Sequence, residues 1–287
     1  MEEIKENQIK KYNLKNDVIF KAFFGKKGNE QFLIDFLTGL LKINIQEIEI
    51  KEEVNLIQLT RDEKGGRLDL QARLDNGSIV NIEIQIKDKR NIIERSIVYG
   101  SKVISKELKR GMDYEDAQKV IMVNILNYEI FEYKEYVSES MLVLKDHRDY
   151  EISDMIKYYY IELPKYRREK TNMNDKLNQW LALIDDTDRG KIEMAKEKNE
   201  KIKSALDEMT YLTGDEEVQR LAELHEKWEM DWNSSMNRAR KSGIAEGVKK
   251  AQKETAIRML EEGIEVKVIA KVTGLTEEEI KKFDVVK

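Results

Sequence analysis

The chain has 287 residues, of which 40% are hydrophobic and 37% charged, and this length suits one large or two smaller domains. With 51 Lys and Arg against 56 Asp and Glu, the net charge is −5, so any nucleic-acid binding must come from a local basic patch. The absence of cysteine excludes disulfide bonds, thiolate zinc sites and cysteine nucleophiles, and with only two histidines a multi-histidine metal site within one chain is nearly excluded. A metal site would therefore use oxygen ligands, which suits Mg²⁺ or Mn²⁺.

No part of the sequence resembles a targeting or membrane segment. Residues 1–5 contain no apolar run of the kind that begins a signal peptide. No stretch of about 18 uninterrupted apolar residues follows. We therefore expect a cytoplasmic protein without a membrane span.

The first 60 residues predict two helices followed by β-structure. Residues 16–24 are typical of a short helix that Asn16 caps and Gly25 ends. Residues 29–41 place phenylalanine and leucine at helical spacing and predict a second helix. The alternating pattern of residues 43–59 favours a strand.

Residues 68–86 predict a β-hairpin, because two alternating segments flank an Asn-Gly turn. A three-residue loop, 75–77, makes Leu70 face Ile82 and creates one apolar sheet face. The same register sets Asp69 directly opposite Glu83, with Cα atoms about 5 Å apart. A two-residue loop would shift the pairing by one residue and set apolar side chains against polar ones, so burial selects the first register.

The facing carboxylates of Asp69 and Glu83 repel each other, so we expect a compensating positive charge. A divalent cation would supply it and would indicate metal-assisted hydrolysis. The side chains of Arg67, Arg73 or Lys87 would neutralise the pair without a metal. The spacing of the residues alone leaves both interpretations open.

The remaining sequence predicts alternating helix and strand, then helices to the end. Residues 87–111 predict a long helix, 119–126 a buried strand, and 141–144 and 158–163 further strands. This order predicts an α/β fold with a mixed sheet flanked by helices and a helical C-terminal region. We expect three parts: a core at 1–170, a charged helical extension at 171–240 and a small helical module at 241–287.

Six motifs follow one another along the chain. They are Asn16-Asp17-x-x-Phe20-Lys21-x-x-Phe24-Gly25, Leu68-Asp69, Ile82-Glu83-Ile84-Gln85, Arg95 with Tyr99, Glu162-Leu163-Pro164-Lys165, and the tail Ile269-Ala270-Lys271-Val272-Thr273-Gly274-Leu275-Thr276-Glu277-Glu278-Glu279-Ile280. Taken together, they make the chain resemble the PD-(D/E)XK nuclease superfamily. Within that superfamily it resembles the recombination-promoting nuclease (Rpn) family.

The resemblance implies a PD-(D/E)XK restriction-endonuclease-like core and a DNA endonuclease that depends on Mg²⁺ or Mn²⁺. It implies that Asp69, Glu83 and the backbone carbonyl of Ile84 hold the metal, and that Gln85 orients the attacking water. The superfamily commonly carries Lys where this chain has Gln85, and a neutral amide cannot act as a base near neutral pH. We therefore expect a weaker or more metal-reliant enzyme.

Members of the superfamily commonly carry an acidic residue on the first helix, so the resemblance implies Asp17 as the candidate third catalytic acid. Glu30 is a weaker alternative. Asp17 could equally serve only to stabilise the N-terminus of its own helix. Basic residues that follow the hairpin would contact DNA phosphates, or they would form a solvated helix face balanced by Glu94 and Glu107. The candidates for phosphate contact are Lys87, Lys89, Arg90 and Arg95, with Lys102, Lys106, Lys109 and Arg110 further along.

Residues 268–275 resemble a small helix-turn-helix, which would bind DNA in a major groove. Three glutamates, 277–279, lie where a recognition helix would approach phosphate, and this favours a module for self-association or protein contact. We expect a homodimeric, Mg²⁺-dependent DNA endonuclease that acts in recombination, mobile-element biology or defence against foreign DNA. The alternatives are a non-catalytic DNA-binding or protein-interaction module on a nuclease-derived fold, and a transposase that performs strand transfer.

Overall fold

The computed structural model describes residues 12–51, 69–108 and 110–284. The chain divides into two compact units, Met1–Leu224 and His225–Lys287. The expected three-part division, with boundaries at 170 and 240, stays a prediction about domains.

The first unit contains a six-stranded mixed sheet, as the sequence predicts. Its strands are β1 (Ile48–Ile50), β2 (Leu70–Leu74), β3 (Ile79–Gln85), β4 (Val120–Leu126), β5 (Val137–Val143) and β6 (Glu151–Glu162). The strand order is β1-β2-β3-β4-β6-β5. The central strands β3, β4 and β6 are parallel, and the outer pairings are antiparallel.

Helices complete this unit, and most of them share the sheet's main core, whereas residues 99–104 pack on a separate apolar cluster. Along the chain they are α1 (Asp17–Phe24), α2 (Glu30–Leu41), α3 (Ile92–Glu107), α4 (Leu163–Arg168), α5 (Lys176–Asp185), α6 (Arg189–Lys198) and α7 (Glu200–Gly214). The predicted α1 is confirmed, since the Asn16 side chain accepts from the Ile19 amide and Gly25 ends the helix. Trp180 of α5 is fully buried against Phe24 and Phe32, so α5 packs on the first two helices.

The hairpin formed by β2 and β3 has the predicted register. Leu70 pairs with Ile82, and Leu74 donates its backbone N–H to the carbonyl of Ser78 at 2.8 Å. The three-residue loop turns at Gly77, whose φ of +86° is a left-handed conformation that glycine adopts without strain. The register therefore places the polar residues of β3 on one face, as expected from the sequence, but this face is largely covered: Asn81 is 1% exposed and Gln85 8%.

Four predictions of element bounds need correction. The strands predicted over 141–144 and 158–163 are β5, which begins at Val137, and β6, which begins at Glu151 and ends at Glu162. The helix predicted over 87–111 begins only at Ile92 and ends at Glu107. The Asp88 side chain accepts from the Arg90 amide at 2.6 Å, and Arg90 has φ +58°, so this turn cannot belong to a helix. The strand predicted over 43–59 is only β1 in the described part, and residues 52–68 lie outside it.

The unit boundary falls within helix α8 (Glu216–Glu261), which α9 (Val266–Thr273) and α10 (Glu277–Asp284) follow. In the second unit, Ala256, Ile269 and Ile280 form a small buried core. A capping box begins α10, because the Glu279 carboxylate accepts from the Thr276 amide at 2.9 Å and the Thr276 hydroxyl accepts from the Glu279 amide at 3.3 Å. Among the helices of the described residues, none combines the length and apolar character needed to cross a bilayer.

Candidate functional site

The two acidic residues of the hairpin lie on adjacent strands. Asp69 directly precedes β2, and Glu83 is in β3. Because Leu70 pairs with Ile82, the next position outward sets Asp69 opposite Glu83. Burial raises the pKa of Glu83, Arg95 partly offsets this increase, and the negative charge of Asp69 adds to it. The electrostatic conflict that the sequence predicts is therefore present.

The positive charge next to Glu83 comes from α3. Arg95 donates from Nη2 to Glu83 Oε1, and each of these side chains is less than one-fifth exposed. Arg73, one of the neutralising residues considered from the sequence, instead binds Glu107 at 2.6 Å. Arg67 lies outside the described residues.

Packing of α3 on the sheet fixes the position of Arg95. The next residue, Ser96, is fully buried and donates to Asn124 Oδ1 at 2.8 Å, and Asn124 pairs with Glu83 across β3 and β4. One turn further on, a Cβ at Gly100 would lie 2.5 Å from Ile156 Cδ1, so α3 approaches the sheet closely at this position. The helix therefore holds Arg95 over the hairpin.

Gln85 is part of a hydrogen-bonded chain that leads to Glu83. Its Nε2 donates to Glu83 Oε1 at 2.9 Å, and its Oε1 accepts from the hydroxyl of Tyr128 at 2.9 Å. Burial raises the pKa of Tyr128, so its hydroxyl stays protonated and available as a donor. Sequence reasoning missed Tyr128. The available signal was its place just after β4, beside the C-terminal end of β3.

A buried ion pair anchors the loop that carries Tyr128. Glu162 Oε1 accepts from the backbone amides of Ile130 at 2.6 Å and Phe131 at 3.2 Å. Its other oxygen accepts from Lys165 Nζ at 2.6 Å, and both side chains are at most 1% exposed. The Glu162-Leu163-Pro164-Lys165 motif therefore holds this loop in place.

The donor set around the hairpin fits a hard cation. Asp69 and Glu83 offer carboxylates. The carbonyl of Gln85 accepts from Asn127 on the β4 side at 2.8 Å. Since successive carbonyls of a strand alternate in direction, the Ile84 carbonyl points to the side of β2, where Asp69 lies. These are the oxygen ligands that Mg²⁺ and Mn²⁺ prefer.

The structure does not gather the predicted third acid with the other two. Among the described residues, no three His, Asp or Glu side chains lie close enough to share a metal ion. Asp17 begins α1, where its Oδ1 accepts from the Val18 amide at 2.9 Å. The rival Glu30 begins α2 and accepts from the amide of Gly28 at 2.8 Å.

The basic residues predicted to contact phosphate differ in environment. Lys87, Lys89 and Arg90 are exposed on the segment between β3 and α3, whereas Arg95 is engaged with Glu83. Further along, Lys102, Lys106 and Arg110 are exposed, and Lys109 lies outside the described residues. Of these cations, Arg95 contacts Glu83, and Lys89 is close enough to lower the pKa of this carboxyl group.

Comparison with protein-family models gives two matches. Residues 14–239 match the family described as PD-(D/E)XK nuclease family transposase. Residues 249–283 match the C-terminal HTH domain of the Rpn/YhgA-like nuclease family. Searches among curated proteins and among solved structures give no significant match. The first match spans most of the chain, and the second identifies the C-terminal helices as a helix-turn-helix.

Proposed function

Because the chain belongs to the PD-(D/E)XK nuclease family of transposases, we propose that it is a metal-dependent DNA endonuclease. In this proposal, the cation binds to the carboxylates of Asp69 and Glu83 and to the backbone carbonyl of Ile84. The observation that carries this proposal is the hairpin register, which sets Asp69 opposite Glu83 on one polar face. A bound Mg²⁺ or Mn²⁺ would polarise the phosphodiester and lower the pKa of a water molecule.

The side chains around the carboxylates have separate tasks in this proposal. Gln85 uses one amide hydrogen for Glu83 and has a second one, which can orient the attacking water. Tyr128 fixes the orientation of the Gln85 side-chain amide by donating to Gln85 Oε1. Because Gln85 carries no charge, the enzyme depends on the cation to activate water. Asp17 stays a candidate acid that would need to approach the site when substrate binds.

DNA affinity would come from the cations beside the site. The guanidinium of Arg95 has five N–H donors, so it can keep one bond to Glu83 and give others to a phosphate. Lys87, Lys89 and Arg90 extend this positive region toward solvent. This arrangement explains how a chain of net charge −5 could hold DNA.

The C-terminal helix-turn-helix would add a second DNA contact. The match of residues 249–283 to a family HTH domain favours DNA binding, whereas the three glutamates had favoured a module for self-association or protein contact. Since the first turn of α10 carries three glutamates, we expect contact with phosphates rather than deep insertion of α10 into a groove. The proposed context is a cytoplasmic homodimer in recombination, mobile-element biology or defence against foreign DNA.

A non-catalytic DNA-binding protein is the second candidate function. It is favoured by Gln85 in place of the usual lysine and by the ion pair that engages Glu83. Calorimetric titration with Mn²⁺ separates the two functions. The nuclease proposal predicts one site that Asp69→Asn removes and that the matched control Asp75→Asn, at the other end of the hairpin, retains. Absence of Mn²⁺ binding by the wild type would favour the second candidate.

A further inference from the structure

One face of α8 in the second unit is rich in aromatic and small residues and is exposed from Trp232 onward. At helical spacing it carries His225, Trp228, Trp232, Met236, Ala239, Gly243 and Gly247, which we call the tryptophan face. The rings of His225 and Trp228 stack at 6.0 Å, and those of Trp228 and Trp232 at 5.9 Å. Trp232 is 51% exposed and Met236 54%. Tryptophan exposed to this extent indicates a surface that another molecule covers.

The large and small residues of the tryptophan face are segregated. Its N-terminal half carries the two tryptophans, and its C-terminal half carries Ala239, Gly243 and Gly247. Glycine inside a helix costs roughly 1 kcal/mol relative to alanine. At Gly243 and Gly247 a Cβ would meet no atom within 4 Å, so packing within the chain does not call for glycine. A partner that approaches the helix backbone closely would require glycine at these positions.

Charge is segregated along the same helix. Residues 225–235 carry three acids, Glu226, Glu229 and Asp231, against one lysine. Residues 236–250 carry five basic residues against one glutamate; the basic residues are Arg238, Arg240, Lys241, Lys249 and Lys250. A helix with one acidic half and one basic half is complementary to itself when the two copies run antiparallel.

We propose that the tryptophan face binds the tryptophan face of a second copy of this chain, antiparallel and with the twofold axis near Met236. Trp232 of one copy then lies near Ala239 of the other, and Trp228 near Gly243, because both pairs are centred on the same point, between residues 235 and 236. Glu229 and Arg240 flank the face on the same side and come together between copies. In such a twofold interface, the bulky residues of each helix pack against the small residues of the other.

This proposal rests on the homodimer named above and adds its surface and its orientation. It does not depend on the nuclease site. The test needs neither DNA nor metal. The dimer proposal can therefore be rejected while the nuclease proposal stands, and the nuclease proposal can be rejected while the dimer proposal stands.

The absence of cysteine from the natural chain allows single-cysteine cross-linking of the full-length protein. Met236→Cys should form a disulfide-linked dimer, because the two copies meet at this position. His225→Cys and Gly247→Cys should each fail to cross-link alone, since like positions lie about 33 Å apart across the pair. A mixture of these two variants should cross-link. Ala245→Cys, on the opposite side of the helix, is the negative control.

Light scattering of the wild type and of packing variants gives an independent measurement. Gly243→Leu improves helix propensity but fills the space that Trp228 of the partner needs, so we expect dimerisation to weaken by about tenfold or more. Ala245→Leu should leave it unchanged. A monomeric wild type, a dimer that Gly243→Leu leaves intact, or cross-linking of His225→Cys with itself would overturn the proposal.

Discussion

Arg95 donates to the Oε1 atom of Glu83 that also accepts from Gln85. This contact joins the helix after the hairpin to the carboxylate that we propose as a metal ligand. It also explains how Glu83 is tolerated beside Asp69, because Arg95 offsets part of the rise that burial and Asp69 cause in the pKa of Glu83.

Arg95→Gln should separate cation binding from cleavage. Removal of a positive charge beside Glu83 should tighten Mn²⁺ binding by roughly twofold to tenfold, because the guanidinium opposes the cation. Cleavage should fall by about tenfold to a hundredfold, since a phosphate contact is lost. Calorimetry and plasmid nicking measure the two effects, with Arg73→Gln as a control outside the site. Weaker Mn²⁺ binding in Arg95→Gln would show that Arg95 supports the ligand geometry rather than opposing the cation.

Tyr128→Phe should lower kcat by about tenfold, which corresponds to the loss of one hydrogen bond that orients Gln85. The KM for DNA should stay unchanged, because Tyr128 is not proposed to contact the substrate. The matched control is Tyr133→Phe, whose hydroxyl binds Ser138 on the exposed side of the same loop. Steady-state cleavage of a short duplex measures both constants. An increase in KM with constant kcat would assign Tyr128 to substrate binding.

Glu162→Gln should destabilise the first unit by about 3–5 kcal/mol, because it leaves Lys165 buried without a counter-charge. The double variant Glu162→Gln with Lys165→Met should recover part of this loss. Urea unfolding followed by circular dichroism gives the values. Glu129→Gln, which breaks an exposed pair with Arg168, should leave the free energy of unfolding nearly unchanged. Equal stability of Glu162→Gln and the wild type would argue against an anchoring role.

Asp35 provides a prediction of pH dependence. Burial by itself would raise its pKa, but hydrogen bonds from Asn199, Lys176 and Trp180 lower the pKa overall. The charged form therefore stabilises the fold above the unfolded pKa of about 4, and this contribution is lost as pH falls through the lower folded pKa. Asp35→Asn should lose about 1–3 kcal/mol at pH 7.

The difference in the free energy of unfolding between wild type and Asp35→Asn should narrow when urea unfolding is repeated near pH 3. The exposed Asp146→Asn serves as the control at both pH values. A difference that stays constant between pH 7 and pH 3 would show that the charge of Asp35 is not what stabilises this contact.

Local patterns in the sequence predict the parts of the fold that depend on neighbouring residues. The alternation of apolar residues and the Asn-Gly turn were enough to give the hairpin register, since a shift by one residue would expose the apolar face. The start of α3 could not be predicted in this way. It depends on a side-chain turn at Asp88 that overrides helix propensity in the next residues.

The contacts that assemble the site are less accessible to sequence reasoning because they join distant elements. Tyr128 reaches Gln85 over 43 positions, and Glu162 holds the Tyr128 loop over about 30. The resemblance to a family selected Arg95 and Glu162 without indicating what they bind. Their partners follow from the parallel order of β3, β4 and β6, which only the folded sheet reveals.

Cleavage of supercoiled plasmid by purified wild type and Glu83→Ala, in Mg²⁺, in Mn²⁺ and in EDTA, tests whether the hairpin is the catalytic site. We expect nicking by the wild type in either metal, none in EDTA and none by Glu83→Ala. Glu94→Ala, an exposed acid of α3, should cleave like the wild type. Equal cleavage by the wild type and Glu83→Ala, or no cleavage by either protein in any metal, would contradict the assignment of the hairpin as the catalytic site.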